Sequence, residues 1–373
     1  MKITVAMDSF KGSMTSLEAG NAVKNGILRA FDLGKSKPDI IAIPVADGGE
    51  GTSYALSTIE GARVVSTCAI DALRREIQCE YTILPDNVAV IEVSQAVGLA
   101  MLKPNERSPI YTTTYGVGMM IMDALERGCR EFIIGLGGSA TNDCGIGMLS
   151  ALGFEFTNCN PIDGAIAIKS LMQIKTEGAD KRLKECKFHV ACDVDNPLTG
   201  PRGATYVFSL QKGAKESELE LMDKWHFKFA TITKKHLEAS DKTPGAGAAG
   251  GLGYAFLAYL GAELKSGVEL VMEMTGIEEK IKACDLVITG EGRLDSQTTG
   301  GKAPWGVSKL AKKYGKRVIA LCGSLGKSLE GLNTYIDGYF PIVSGPCTLY
   351  EAMDKFTAYE NLKRTAKQLI NLL

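Results

Sequence analysis

Five stretches of this 373-residue chain each follow an apolar run and combine glycine with side chains able to handle charge. After KITVAM come Asp8, Ser9, Lys11, Gly12 and Ser13, and after PDIIAIPV come Asp47, Gly48, Gly49, Glu50, Gly51 and Thr52. EFII leads into GLGGSATNDCG (135–145), with Ser139, Thr141, Asn142 and Asp143; KFHVAC leads into Asp193, Asp195 and Asn196. DLVIT is followed by Gly290, Glu291, Gly292, Arg293, Asp295 and Thr298. Glycine lets backbone N–H groups surround an oxyanion, and a helix N-terminus beyond the loop adds partial positive charge. Lys11, Arg293 and Lys302 could offset the charge of a phosphoryl group in transfer, while aspartates hold Mg2+ or accept a proton from an attacking hydroxyl. Positioning, a metal and neutralisation are the parts that phosphoryl transfer needs.

Taken singly, each feature has a plainer reading. A glycine loop after a strand can be a tight turn, and Asp8 or Asp143 can simply cap orphan N–H groups at a helix start. Arg293 and Lys302 can be surface ion-pair residues, and GAGAAGG (245–251) can serve close helix packing. His189, His226 and His236 stand among apolar or basic neighbours and read as structural, which argues against a Ser-His-Asp hydrolase. The coincidence of five such loops carries the functional reading. Two lookalikes fail on context. Gly245, Gly247 and Gly250 match G-x-G-x-x-G but follow DKTP where a strand is required, and GSLGKS (323–328) lacks the first-glycine spacing of a P-loop.

The elements that must position these groups alternate between strand and helix at both ends of the chain. KITVAM is a buried strand, followed by a helix with apolar or small residues at 19, 22, 23, 26, 27, 30 and 31, one helical face. Thr15 and Glu18 form a capping-box pattern at its start. From about residue 62, short strands with partial alternation and turn signals such as PDN predict antiparallel sheet. A helix is predicted over 112–127 with Gly128 at its C-cap, and the charged, amphipathic 214–240 stretch predicts a surface helix. CDLVIT, a polar loop, a helix from Pro304, KRVIALC and DGYFPIV return to parallel-sheet units. The expected architecture is α/β. Residues 1–62 plus 271–373 would form a doubly wound, mainly parallel-sheet, Rossmann-like domain, and 63–270 an inserted mixed α/β domain, with the active-site cleft between them.

Composition narrows the function classes. Forty-two Lys+Arg against 43 Asp+Glu give a net charge of −1, so no global field draws the chain to nucleic acid or anionic membrane. Ten scattered cysteines without a C-x-x-C pair, and three histidines, favour neither a disulfide framework nor a zinc site. They read as free thiols in a reducing cytoplasm. The apolar run at the N-terminus is too short for a signal segment, and nothing approaches the ~18 apolar residues of a membrane span.

Seven blocks, DSFKGS (8–13), PVADGGEGT (44–52), TTTYGVG (112–118), IGLGGSATND (134–143), ACDVDNPLTGPRGA (191–204), GAGAAGGLGYAFLAYLGAELKSG (245–267) and VITGEGRLDSQTTGGKAPWGV (287–307), occur in the order found in type I glycerate kinases. The chain resembles that family from residue 1 to about 310, with departures at Val97, Cys144 and Trp305. The resemblance implies a two-domain α/β enzyme that phosphorylates D-glycerate with ATP and Mg2+, 2-phosphoglycerate being the expected product. Direct in-line transfer would assign catalytic roles to Lys11, Asp47, Asp193 and Arg293. Phosphate or nucleotide contacts would come from Ser9, Gly48, Gly49, Gly290, Gly292 and Lys302. Ser139, Thr141, Asn142 and Asn196 would bind substrate, the first three with nucleotide phosphates as the alternative. Asp47, Asp193 and Asp295 are the candidates for Mg2+. A kinase for a related hydroxy acid and a non-catalytic two-lobed sensor are the competing readings.

Overall fold

The computed structural model describes residues 1–31, 37–49, 51–234 and 240–372. Glu50 and His236 lie outside the described residues. Contacts divide the chain into two compact units. One comprises Met1–Asp47, Tyr54–Thr58 and Val268–Leu373; the other comprises Gly48–Ser53 and Ile59–Gly267.

The first unit is built on a five-stranded, all-parallel sheet. Its spatial order is Gly338–Pro341, Arg317–Leu325, Leu286–Leu294, Lys2–Met7 and Asp39–Ala42. Side chains alternate between its two faces, as the pleat demands. Ile3, Val5, Met7, Ile288 and Leu321 pack on one side with the helices Ser16–Ala30 and Lys355–Ile370. Ala6, Val287, Val318 and Ala320 pack on the other with Ile277–Ala283 and Ala303–Lys313. Both faces are covered, which is why these strands read as continuous apolar runs. The Thr15–Glu18 capping box forms as predicted. One expectation is corrected. Residues 290–294, read as loop, continue the strand, because Arg293 pairs with Ser324 and Leu294 with Leu325.

The second unit holds a six-stranded sheet in the order Glu263–Lys265, Lys187–Ala191, Glu131–Gly135, Val88–Glu92, Glu76–Ile83 and Arg63–Ile70. The first four run parallel, and the last two join by antiparallel pairing, which is the change of texture visible from residue 62. Helix Tyr115–Glu126 ends where Gly128 takes a φ of +91°. Helix Glu216–Thr233 is less superficial than its charge suggests, since Leu219, Met222, Trp225 and Phe229 on one face are core. The glycine-rich 245–253 stretch packs closely, as its plainer reading had it. Gly250 sits at a φ of +68°, its carbonyl accepts the Cys144 N–H at 3.0 Å, and a Cβ there would lie 2.1 Å from the Thr141 carbonyl oxygen. All ten cysteines are free thiols. Among the described residues, no helix is long and apolar enough to cross a membrane.

Candidate active site

In a doubly wound sheet, ligands bind outside the carboxyl ends of the strands where the strand order reverses. In the first unit the chain passes from Lys2–Met7 to Asp39–Ala42 on one side, while Leu286–Leu294 lies on the other and leads to Arg317–Leu325. The reversal therefore falls where Met7 pairs with Gly290, and the Asp8 N–H donates to the Gly290 carbonyl at 2.9 Å. Asp8 and Glu291 emerge side by side from that pair.

Asp8 is 4% exposed, and its Oδ1 accepts the Ser9 N–H at 2.6 Å. Burial, reinforced by the Asp47 carboxylate, lifts the Asp8 carboxyl from 3.8 to about 7; the Ser9 N–H and Lys11 oppose this, and Glu291 adds to it. Lys11 Nζ stands 3.7 Å from Asp47. Glu291, also buried, accepts from Thr298 Oγ1 at 2.8 Å and from Lys302 Nζ at 3.2 Å. Burial raises its pKa, and Lys302 with Thr298 restrains the rise. The Arg293 side chain is 64% exposed and lies 3.4 Å from Asp295. Asp8, Ser9, Lys11, Gly292, Arg293 and Lys302 all line one pocket of about 340 Å³. Three cations and a carboxyl group poised near neutrality thus share one cavity.

The strand-end loops of the second unit are tied from within. Buried Glu92 accepts the N–H groups of Ser53 (2.7 Å) and Gly51 (3.3 Å), tying both residues to the strand Val88–Glu92. Asp193 Oδ1 accepts the Gly267 N–H at 3.1 Å, and Asn196 donates to the Arg202 carbonyl at 2.8 Å. Ser139 Oγ and the Thr141 carbonyl both accept from Lys212 Nζ, at 3.0 and 2.7 Å. Lys212 is 3% exposed, and burial pushes its ammonium down to about 7 against the pull of Asp143. Asp143, fully buried, accepts from Thr114 N–H and Oγ1 and from the N–H groups of Gly145 and Gly147.

A model of the glycerate kinase family matches residues 3–373. The chain belongs to the glycerate kinase family. A glycerate kinase of Bacillus subtilis is 42% identical over 99% of this chain and 97% of its own. The glycerate 2-kinase of Escherichia coli is 41% identical over the same shares. A crystal structure from Salmonella typhimurium LT2, described as a glycerate kinase 2, superimposes with a TM-score of 0.89 at 39% identity, covering 100% of this chain and 98% of that one. The protein is an enzyme, a kinase, and the sensor reading gives way to that.

Within this kinase, the residues expected to work together fall into distinct settings. Ser9, Lys11, Gly292, Arg293 and Lys302 share the pocket, and Asp47 reaches it through Lys11 and Asp8. Gly290 does not line it. A Cβ there would lie 1.8 Å from the Leu321 carbonyl oxygen, so its glycine serves sheet packing. Gly48, at a φ of +83°, is likewise pressed against Ala191 and Gly267. Thr141 and Asn142, expected to contact substrate, are fully buried; Asn142 Nδ2 donates to Thr205 Oγ1, and its carbonyl bonds His226 Nε2 at 2.8 Å. Their side chains shape the loop from inside. Among the described residues no three His, Cys, Asp or Glu side chains gather as a metal-ligand group. Asp8 and Glu291 stand among the strand-end residues of the sequence but were assigned no role there, and Glu92 and Lys212 were not singled out. For Asp8 and Glu291 the signal was available: each is the first acidic residue after the apolar run of a strand, and the topology makes the two strands adjacent. Lys212, in SLQKGA, carried none.

Proposed function

We propose that this kinase transfers the γ-phosphoryl group of ATP to D-glycerate and forms 2-phosphoglycerate, working in the cytoplasm. The observation that carries the reading is the cluster at the strand reversal, Asp8 with Lys11, Arg293, Glu291 and Lys302. The names of the relatives support glycerate as acceptor, and that of the Escherichia coli enzyme supports the 2-position.

The hydroxyl oxygen of glycerate attacks the γ-phosphorus in line while the bond to the β–γ bridging oxygen breaks. Asp8 takes the hydroxyl proton. A carboxyl group near 7 is partly ionised at neutral pH and matched in basicity to that task. Lys11, Lys302 and Arg293 neutralise the charge that develops on the transferring group and on ADP. Glu291 holds Lys302 in place through a bond that leaves the rest of the ammonium to the pocket. Asp47, with Asp295 and Asp193 as further candidates, would hold Mg2+ through hard carboxylate oxygens, and the ion would supply charge neutralisation there. The loops carrying Ser139, Asn196 and Asp193 are proposed to serve the hydroxy acid.

A coupled assay with purified protein tests the reading: ADP should form only when D-glycerate is present, and phosphorus NMR should show the phosphate on the 2-oxygen. Absence of glycerate-dependent ADP formation would refute the activity; a 3-phosphate would refute the position. Comparing kcat/KM across related hydroxy acids decides whether glycerate is the preferred acceptor.

A further inference from the structure

The chemistry above uses only the charged part of the 340 Å³ pocket. Most of the remaining lining comes from the chain beyond Gly338–Pro341, including Ile342, Val343, Leu349, Ala352 and Met353, with Phe10 beside them and Gly323 and Ser324 at the end of one strand. This part is apolar. Leu349 is 75% exposed and Met353 37%, on the short helix Leu349–Met353. Large apolar side chains gathered in a concave lining, with convergent polar groups at one part of it, mark a ligand surface. The two parts are physically joined. Gly12 has a φ of +78°, and a Cβ there would lie 2.7 Å from the Met353 methyl carbon, so Met353 rests directly on the loop that presents Lys11.

Glycerate does not explain such walls. A three-carbon hydroxy acid has almost no apolar surface, so an apolar lining has nothing of it to withdraw from water. A ligand with a flat apolar ring joined to a polyanion matches both parts, and about 340 Å³ lies within the usual range of small-ligand pockets. We propose that the nucleotide is bound wholly within the parallel-sheet unit, its base against Val343, Leu349, Ala352 and Met353 and its phosphates on Lys11, Lys302 and Arg293. The assignment rests on the nucleoside-triphosphate reading above and makes the 342–353 segment the determinant of nucleotide affinity, separate from acceptor binding.

Two substitutions test it by titration calorimetry with ADP, without need of turnover. Ala352→Trp fills the apolar part, and Leu349→Asp, at an exposed position compatible with folding, sets a charge against the base. Each is expected to weaken ADP binding about tenfold or more while leaving KM for glycerate within about twofold. Tyr350→Ser, 88% exposed and outside the lining, serves as control and should bind ADP as the parent does. ADP should also slow amide hydrogen exchange across 343–353. Unchanged ADP affinity in both Ala352→Trp and Leu349→Asp, or ADP-dependent protection confined to other segments, overturns the assignment. Weakened ADP binding in a protein that fails to phosphorylate glycerate upholds the nucleotide site and refutes only the acceptor.

Discussion

Replacing Asp8 by asparagine should make the protein more stable at pH 8 and less active, with both effects tied to pH. The Asp8 carboxyl titrates at about 7 in the fold against an ordinary 3.8. At about 1.4 kcal/mol per tenfold in proton affinity, ionising it costs the fold roughly 4 kcal/mol. The folded chain holds this proton more tightly than the unfolded chain. Stability from this group is therefore intact below 3.8, declines as pH rises, and is fully lost above about 7. Asparagine removes the titration, and its Oδ1 can still accept the Ser9 N–H that Asp8 accepts at 2.6 Å. Its amide must find a new acceptor in a buried site, which takes back about 1–3 kcal/mol. The parent should therefore lead Asp8→Asn by about 1–2 kcal/mol near pH 4, where its carboxyl is still neutral in the fold, and trail it by about 1–3 kcal/mol at pH 8. Urea denaturation at a series of pH values measures it, and kcat should fall on the order of a hundredfold with loss of a general base. A stability difference that is the same at pH 5 and pH 8, or a parent more stable than the variant at pH 8, would show that the carboxyl is not held near neutrality and sink the assignment of Asp8 as the base.

Two further perturbations probe the second unit and the sheet. Lys212, pushed from 10.5 down to about 7, sheds its proton more readily in the folded chain. Its contribution to stability therefore rises with pH between about 7 and 10.5. Lys212→Met should lose about 1–3 kcal/mol at each acceptor left unpartnered, Ser139 Oγ and the Thr141 carbonyl, and fall further behind the parent across that window; a gap that does not widen with pH contradicts the buried placement. Gly290→Ala should destabilise by about 3 kcal/mol or more, because its Cβ would meet the Leu321 carbonyl oxygen at 1.8 Å. Gly292→Ala, whose nearest neighbour is 3.5 Å away, should stay within about 0.5 kcal/mol of the parent in the same urea titration. Equal effects at the two positions would refute the distinction between packing glycine and pocket glycine.

What the amino-acid sequence determined by itself is the local and the periodic. The alternation of apolar runs with one-faced helices named the strands of the parallel sheet, because a strand covered on both faces must be apolar throughout. Thr15 with Glu18 announced a helix start, since both partners of a capping box lie within three residues. The chemistry of the strand-end loops, and the ordered blocks that carry the family, were legible for the same reason: they are contiguous.

The tertiary structure alone decided what each polar residue does. Asp8 and Asp143 present the same local pattern, an aspartate in a polar loop after an apolar strand. Partners from distant segments separate them. Asp143 is enclosed by Thr114, Gly145 and Gly147, whereas Asp8 is set on a pocket wall beside Glu291, a residue 283 positions further along the chain. Gly290 and Gly292, two residues apart, differ only in what the neighbouring strand places opposite them. Lys212 has nothing local to mark it, and the fold buries it under the 139–141 loop. Burial and the field of neighbouring charges set both the basicity and the reach of a side chain, and both are sums over residues remote in sequence. No local spacing can carry them.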